Sequence, residues 1–151
     1  MPHNPHIMLV VSKYYKEIAE QLLQGAIIEL KKCEATWEII EVPGAFEIPA
    51  AISMSIKSNK RDNSIDGYVA LGCVIRGETS HYDYVCGETA RSVQAIAVEH
   101  SVPLGFGVLT VENTEQADER AYVNRKNKGG EATTVCLKML ELKKNFGLSL
   151  R

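Results

Sequence analysis

With 151 residues, 45% of them hydrophobic and 24% charged, the chain is one domain of ordinary size, 1–151, long enough to bury a core without disulfides or metal. Its net charge is -2 and its 17 basic residues are scattered rather than striped, so no nucleic-acid groove is indicated. No stretch approaches a membrane span, and Met1 to His6 lacks the basic-then-apolar order of a signal peptide, so a cytoplasmic protein is expected.

Ile7 to Val11 is a short apolar run of β type, and after Ser12 a helical pattern follows in which Ile18, Leu22, Ala26 and Ile27 recur at turn spacing. Thr36 to Val42 reads as a second strand, ended by Pro43-Gly44. Phe46, Ile48, Ala51, Ile52 and Ile56 then mark a helix whose early Pro49 is tolerable in the first turn. By period alone Phe46 belongs to the core of that helix. The basic cluster from Lys57 to Arg61 reads as a solvated loop. Tyr68 to Ile75 is nearly continuously apolar, as in a parallel strand covered on both faces, and a long helix is expected from about Ser80 to His100. Pro103-Leu104 opens a fourth strand, Gly105 to Val111, and Asn113 with Gln116 three residues on marks another helix start. Lys128-Gly129-Gly130 is expected to break that helix before a last one running from Glu131 towards Asn145.

Strand and helix thus alternate four times, which predicts an α/β fold of three layers, α/β/α, with a four-stranded parallel sheet. In such sheets a ligand lies outside the carboxyl ends of the strands. Three of those ends carry polar or aromatic punctuation, at Ser12 to Tyr15, Pro43 to Glu47 and Arg76 to His81, and Thr110 to Asn113 completes the rim.

The third end says most. In G-C-V-I-R-G-E-T-S-H-Y-D, from Gly72 to Asp83, a buried strand opens through a polar turn into a helix. Ser80 and Asp83 have capping-box spacing, which predicts that backbone N–H groups near Glu78 and Thr79 point outward, where the helix dipole favours a phosphate. His81 is expected in the first helical turn, and histidine is the side-chain type whose unperturbed pKa, about 6.5, lets it give or take a proton near neutrality. Taken alone, such a Ser/Thr pair reads as a cap and such a histidine as a surface residue.

Other signatures fail. There is no G-x-x-x-x-G-K-[ST], no dinucleotide fingerprint after Gly105-Phe106-Gly107 and no G-x-S-x-G elbow. Cys33, Cys73, Cys86 and Cys136 are too dispersed for a zinc site or a disulfide framework and read as reduced, mainly buried thiols. His3 and His6 have ligand-like spacing but sit in what reads as a mobile terminus, so a metal there is disfavoured.

Four blocks, V-P-G-A-F-E-I-P at 42–49, G-C-V-I-R-G-E-T-S-H-Y-D-Y-V at 72–85, T-V-E-N-T-E-Q-A-D-E-R-A at 110–121 and N-K-G-G-E-A at 127–132, closely resemble lumazine synthase in content, order and approximate spacing. The resemblance extends over nearly the whole chain. It implies a flavodoxin-like fold and a transferase of riboflavin biosynthesis: 5-amino-6-(D-ribitylamino)uracil condenses with 3,4-dihydroxy-2-butanone 4-phosphate to 6,7-dimethyl-8-ribityllumazine, releasing phosphate and water. It implies no metal or redox cofactor.

Residue by residue, the resemblance assigns proton transfer to His81 and pyrimidine stacking to Tyr14, whose flat face suits a planar heterocycle. Ala45, Phe46 and Glu47 match the segment that holds the ribityl chain, and Cys73, Val74 and Ile75 the strand end whose backbone reads the uracil edge. Phe106 matches a second aromatic wall. Glu78 and Thr79 match the phosphate-holding turn, with Arg120 and Lys128 as the cations near it; the planar fork of Arg can bind two phosphate oxygens. Neighbouring subunits build each site in the family, with Phe106 and Lys128 facing across the interface, which implies a homopentamer at least. No insertion is evident between Arg120 and Gly130, so a pentamer-based icosahedral 60-mer is permitted, with riboflavin synthase as a candidate partner.

The chain departs from the family at Tyr14, where phenylalanine is common, at Tyr15, often asparagine, and at Glu78, often a small residue. A carboxylate at position 78 suits a phosphate only if it turns outward. Two rival readings are a non-catalytic flavin- or lumazine-binding protein and an inactive shell protein. Retention of His81, Arg120 and Lys128 argues against the first, because an unphosphorylated lumazine needs no paired cations.

Overall fold

The computed structural model of the chain describes residues 4–58 and 64–148. Four strands, β1 (His6–Ser12), β2 (Thr36–Val42), β3 (Gly67–Ile75) and β4 (Leu104–Val111), pair in parallel in the order β2-β1-β3-β4. Leu9 stands opposite Ile39 and Val69, and Ala70 opposite Phe106. Between and after them run α1 (Lys16–Lys32), α2 (Ile48–Lys57), α3 (His81–His100), α4 (Thr114–Ala121) and α5 (Lys128–Asn145).

Successive strand side chains point to opposite faces, so one apolar run feeds two cores. Ile7, Leu9 and Val11 pack with Leu22, Ala26 and Leu30 of α1, Ala117 of α4 and Cys136 of α5. Met8 and Val10 turn the other way, to Ile48 and Ile52 of α2 and Val93 of α3. Each fully buried Leu or Ile contributes about 1.5–3 kcal/mol of transfer free energy. The three-layer α/β/α arrangement follows from this parity. α1 leads outward from β1 to β2, and α2 crosses back to β3. Neighbouring β1 and β3 therefore send their chains to opposite faces, leaving a crevice at their carboxyl ends.

Several local expectations are corrected. Lys128-Gly129-Gly130 opens α5 rather than breaking a helix, and α4 has already ended at Ala121. The two glycines permit close approach. A Cβ on Gly129 would lie 2.7 Å from the carbonyl carbon of Leu22 in α1, and one on Gly130 would press on the Asn127 side chain. Ser80 precedes α3, but its hydroxyl caps nothing. The His81 N–H donates instead to Thr79 Oγ1 (3.3 Å), and the Asp83 carboxylate is engaged by Arg76. Phe46 lies in a 3-10 turn, Ala45–Glu47, and is 55% exposed, so it is not helix core. His6 is not in a loose terminus: it opens β1, its ring bonded to Thr36 Oγ1 (2.6 Å) and Glu38 Oε2 (2.8 Å). His3 and most of the basic cluster that ends at Arg61 lie outside the described residues. No helix among the described residues is long and apolar enough to cross a membrane.

Asn127 starts α5 from the left-handed region (φ 49°), and its side chain accepts a hydrogen bond from the Gly130 N–H. Asparagine tolerates that backbone and supplies the cap. Asn127→Ala should therefore cost about 1–2 kcal/mol in urea denaturation, and Asn127→Gly clearly less, because glycine removes the cap but relieves the backbone.

All four cysteines are free; Cys73 and Cys136 are buried, Cys86 is half-buried and Cys33 is exposed. Burial pushes the Cys73 and Cys136 thiols up to about 12 from the ordinary 9.0. Between those values the unfolded chain holds fewer protons than the folded one. The stabilisation is thus complete below about pH 9 and is lost as pH rises towards about 12. The urea midpoint should fall across that window, and fall less steeply in Cys136→Ala.

Candidate active site

The crevice between the ends of β1 and β3 is a cavity of about 560 Å³, within the usual range for small-molecule sites. Three stretches of chain converge on it. The turn after β1 brings Tyr14, the turn after β2 brings Ala45, Phe46 and Glu47, and β3 with the turn beyond it brings Cys73, Val74, Ile75, Thr79 and His81. Glu78, Phe106, Arg120 and Lys128 do not line the cavity of this single chain.

Those four sit as follows. Glu78 is exposed, on the turn beside Thr79. Phe106 lies on the edge strand β4 and is 41% exposed. Arg120, half-buried near the end of α4, donates to the Gln116 carbonyl (3.1 Å). Lys128 pairs with Glu131 (3.0 Å) in the first turn of α5.

Each wall has a local cause. Tyr14 is 74% exposed, and its ring is met edge-on by Tyr15, with centroids 5.0 Å apart and planes at 75°. Tyr15 also packs on the core beneath α1, so it backs the freer ring. Ala45 is buried and its carbonyl accepts from Thr89 of α3 (3.5 Å), which fixes the 3-10 turn that presents Phe46 and Glu47. Gly77, Glu78, Thr79 and Ser80 offer backbone N–H groups that donate to no group among the described residues. Together with the start of the 20-residue α3 they form a surface suited to an anion.

Sequence reasoning gave no role to Tyr82, Tyr84 or Val85, all of which line the cavity. Tyr82 and Val85 stand three apart at the start of α3, the spacing that puts two side chains on one helix face. Burial, the largest cause in each case, raises the phenols of Tyr15 and Tyr82 and the thiol of Cys73 above their ordinary values. At neutral pH these groups are uncharged donors. The cavity thus combines aromatic faces, the Glu47 carboxylate, an imidazole and unused backbone N–H groups. It can hold a flat polar ring, accept hydroxyl hydrogen bonds and move a proton beside an anion.

A parallel sheet in the order β2-β1-β3-β4, with such a crevice where the chain reverses direction, places the protein among the flavodoxin-like α/β proteins that bind small molecules at the switch point. A family model for 6,7-dimethyl-8-ribityllumazine synthase matches residues 4–144. The chain belongs to that family. It is 49% identical over 147 residues to the 6,7-dimethyl-8-ribityllumazine synthase of Bartonella tribocorum, covering 97% of this chain and 95% of that protein. The corresponding protein of Agrobacterium fabrum is 48% identical over 144 residues, 95% of this chain and 97% of its own. Synthase 1 of Rhizobium meliloti is 47% identical over 143 residues, 94% of each.

Proposed function

We propose that the chain condenses 5-amino-6-(D-ribitylamino)uracil with 3,4-dihydroxy-2-butanone 4-phosphate to 6,7-dimethyl-8-ribityllumazine, the family reaction of riboflavin biosynthesis. The observation that carries the assignment of roles is convergence: nine residues expected from the family pattern line one cavity at the switch point. The non-catalytic alternative is not favoured, since the relatives compared are all named as the synthase.

In this reading Tyr14 stacks on the pyrimidine, the Cys73 to Ile75 strand end reads the uracil edge through its backbone, and the Ala45 to Glu47 turn holds the ribityl hydroxyls. The phosphate lies on the N–H groups near Glu78 and Thr79, an arrangement that requires the carboxylate of the exposed Glu78 to turn away from it. The amine attacks the ketone and water leaves as the imine forms. Phosphate is then expelled, and ring closure releases a second water. His81 takes the proton from the attacking amine and returns it to a departing oxygen. Alignment of the two substrates supplies most of the acceleration, about 7–11 kcal/mol where the fit is good, against about 10²–10⁴-fold for one acid/base group.

Phe106, Arg120 and Lys128 stand outside the crevice of their own chain. Phe106 and Lys128 are read as parts of a neighbour's site, in a homopentamer or a shell of pentamers in the cytoplasm. Arg120 reaches the phosphate once both substrates are bound. Incubating the protein with the two substrates tests the reaction: lumazine fluorescence should grow with stoichiometric phosphate release. Binding of the pyrimidine without product would sink it. Sedimentation tests the assembly, and an active monomer would refute the shared site.

A further inference from the structure

Outside the cavity, one residue gathers four groups from two stretches of chain, the end of β4 with the residue after it and the first turn of α3. Arg76, the residue after β3, donates its backbone N–H to the Val111 carbonyl (2.9 Å). Its Nε donates to Glu112 Oε2 at 2.9 Å, just beyond β4. Its Nη2 donates to Asp83 Oδ1 at 3.1 Å, in the first turn of α3, and its guanidinium carbon lies 4.2 Å from the ring centroid of Tyr82. Glu112 is itself tied onward, its N–H donating to Gln116 Oε1 (2.7 Å) in α4.

Two features of this cluster point to a role. The guanidinium charge is already matched by two carboxylates, so Arg76 is not a cation waiting for a phosphate. Exposed ion pairs add little to stability, whereas a planar fork with a ring beneath it fixes geometry well. The geometry it fixes is that of the start of α3. Tyr82 and Asp83 directly follow His81, and the turn from Gly77 to Ser80 has no other backbone tether to the sheet among the described residues.

We propose that Arg76 is a positioning residue that clasps the first turn of α3 to the ends of β3 and β4 and so sets the His81 imidazole at the mouth of the cavity. This rests on the reading of His81 as the proton-transfer group. Arg76 touches no substrate in it; it acts through its neighbour. Lysine would keep the charge but lose the second arm and the flat face over Tyr82.

The test is a cycle of Arg76→Ala, Arg76→Lys, His81→Ala and the double variant Arg76→Ala/His81→Ala, with melting curves for each. Arg76→Ala should melt with the wild type and lose about 10-fold in kcat, since a displaced catalytic group costs rate before it costs binding. KM for the ribitylaminouracil should hold, and Arg76→Lys should recover part of the loss. In the His81→Ala background the same Arg76→Ala change should cost less than about 2-fold, because an effect routed through the imidazole disappears with it. Glu112→Gln loosens one arm without touching α3 and should give a smaller loss with the same dependence on His81. This variant decides the matter if Arg76→Ala does not fold. An equal factor in both backgrounds overturns the clasp while leaving the acid/base role intact. A rise in KM for the phosphorylated substrate at constant kcat overturns it too, by making Arg76 a phosphate ligand. A fully active His81→Ala protein overturns the acid/base role itself, and the two failures are thereby told apart.

Discussion

Arg120→Ala should lower kcat/KM for the butanone phosphate by more than about 10²-fold, a larger loss than His81→Ala causes. The ranking follows from what each side chain does in the proposed reaction. A guanidinium facing a phosphate makes charge-assisted hydrogen bonds, and removing one partner of a desolvated charge pair costs about 3–5 kcal/mol. A positioned imidazole contributes about 10²-fold at the low end of its range, and alignment persists without it. The Arg120 guanidinium now spends one donor on the Gln116 carbonyl at 3.1 Å, which a rotation of its long side chain would release. Steady-state kinetics with each substrate varied in turn separates the effects. The Arg120 loss should appear in the phosphorylated substrate's KM and the His81 loss in kcat. The opposite order would contradict a mechanism led by positioning and phosphate binding.

Gly129→Ala should destabilise the fold by about 3 kcal/mol, the upper part of the usual range for overpacking. The added methyl would stand 2.7 Å from the carbonyl carbon and 2.8 Å from the Cα of Leu22, and backbone atoms cannot swing aside as a side chain can. α1 and α5 would have to part, opening the core around Leu22, Ala26 and Cys136. A loss of that size lowers Tm by about 6–12 °C in a chain of this length. Gly77→Ala is the control: nothing lies within 4 Å of its would-be Cβ, and it should melt almost unchanged. Equal melting of the two variants would remove the close-approach argument.

The layers were readable because β1 and β3 are apolar runs and because β1 alternates between two sets of partners. The rim was readable too, since turn residues mark each strand's end. What escaped was decided by tertiary contact. Gly129 and Gly130 look like a break by propensity, yet they begin a helix that must touch α1. Ser80 and Asp83 have cap spacing, but a guanidinium seven residues before Asp83 holds its carboxylate. Periodicity assigned Phe46 to the core, whereas the 3-10 turn ahead of α2 leaves its ring at the cavity. Tyr82 carried no signal of its own beyond its spacing from Val85. For Phe106 and Lys128 the pattern supplies a role, but a single chain does not carry them to its own crevice.

α3 has a further consequence. Of its twenty residues only Thr89 and Val93 are buried, while Tyr84 and Val98 are 69% and 70% exposed. If adjoining copies complete one another's pockets, this bare helix is part of the surface along which they meet, and catalysis obeys mass action. Specific activity would then fall on dilution below the dissociation constant of the assembly and return on concentration, with no change in any residue that handles the reactants.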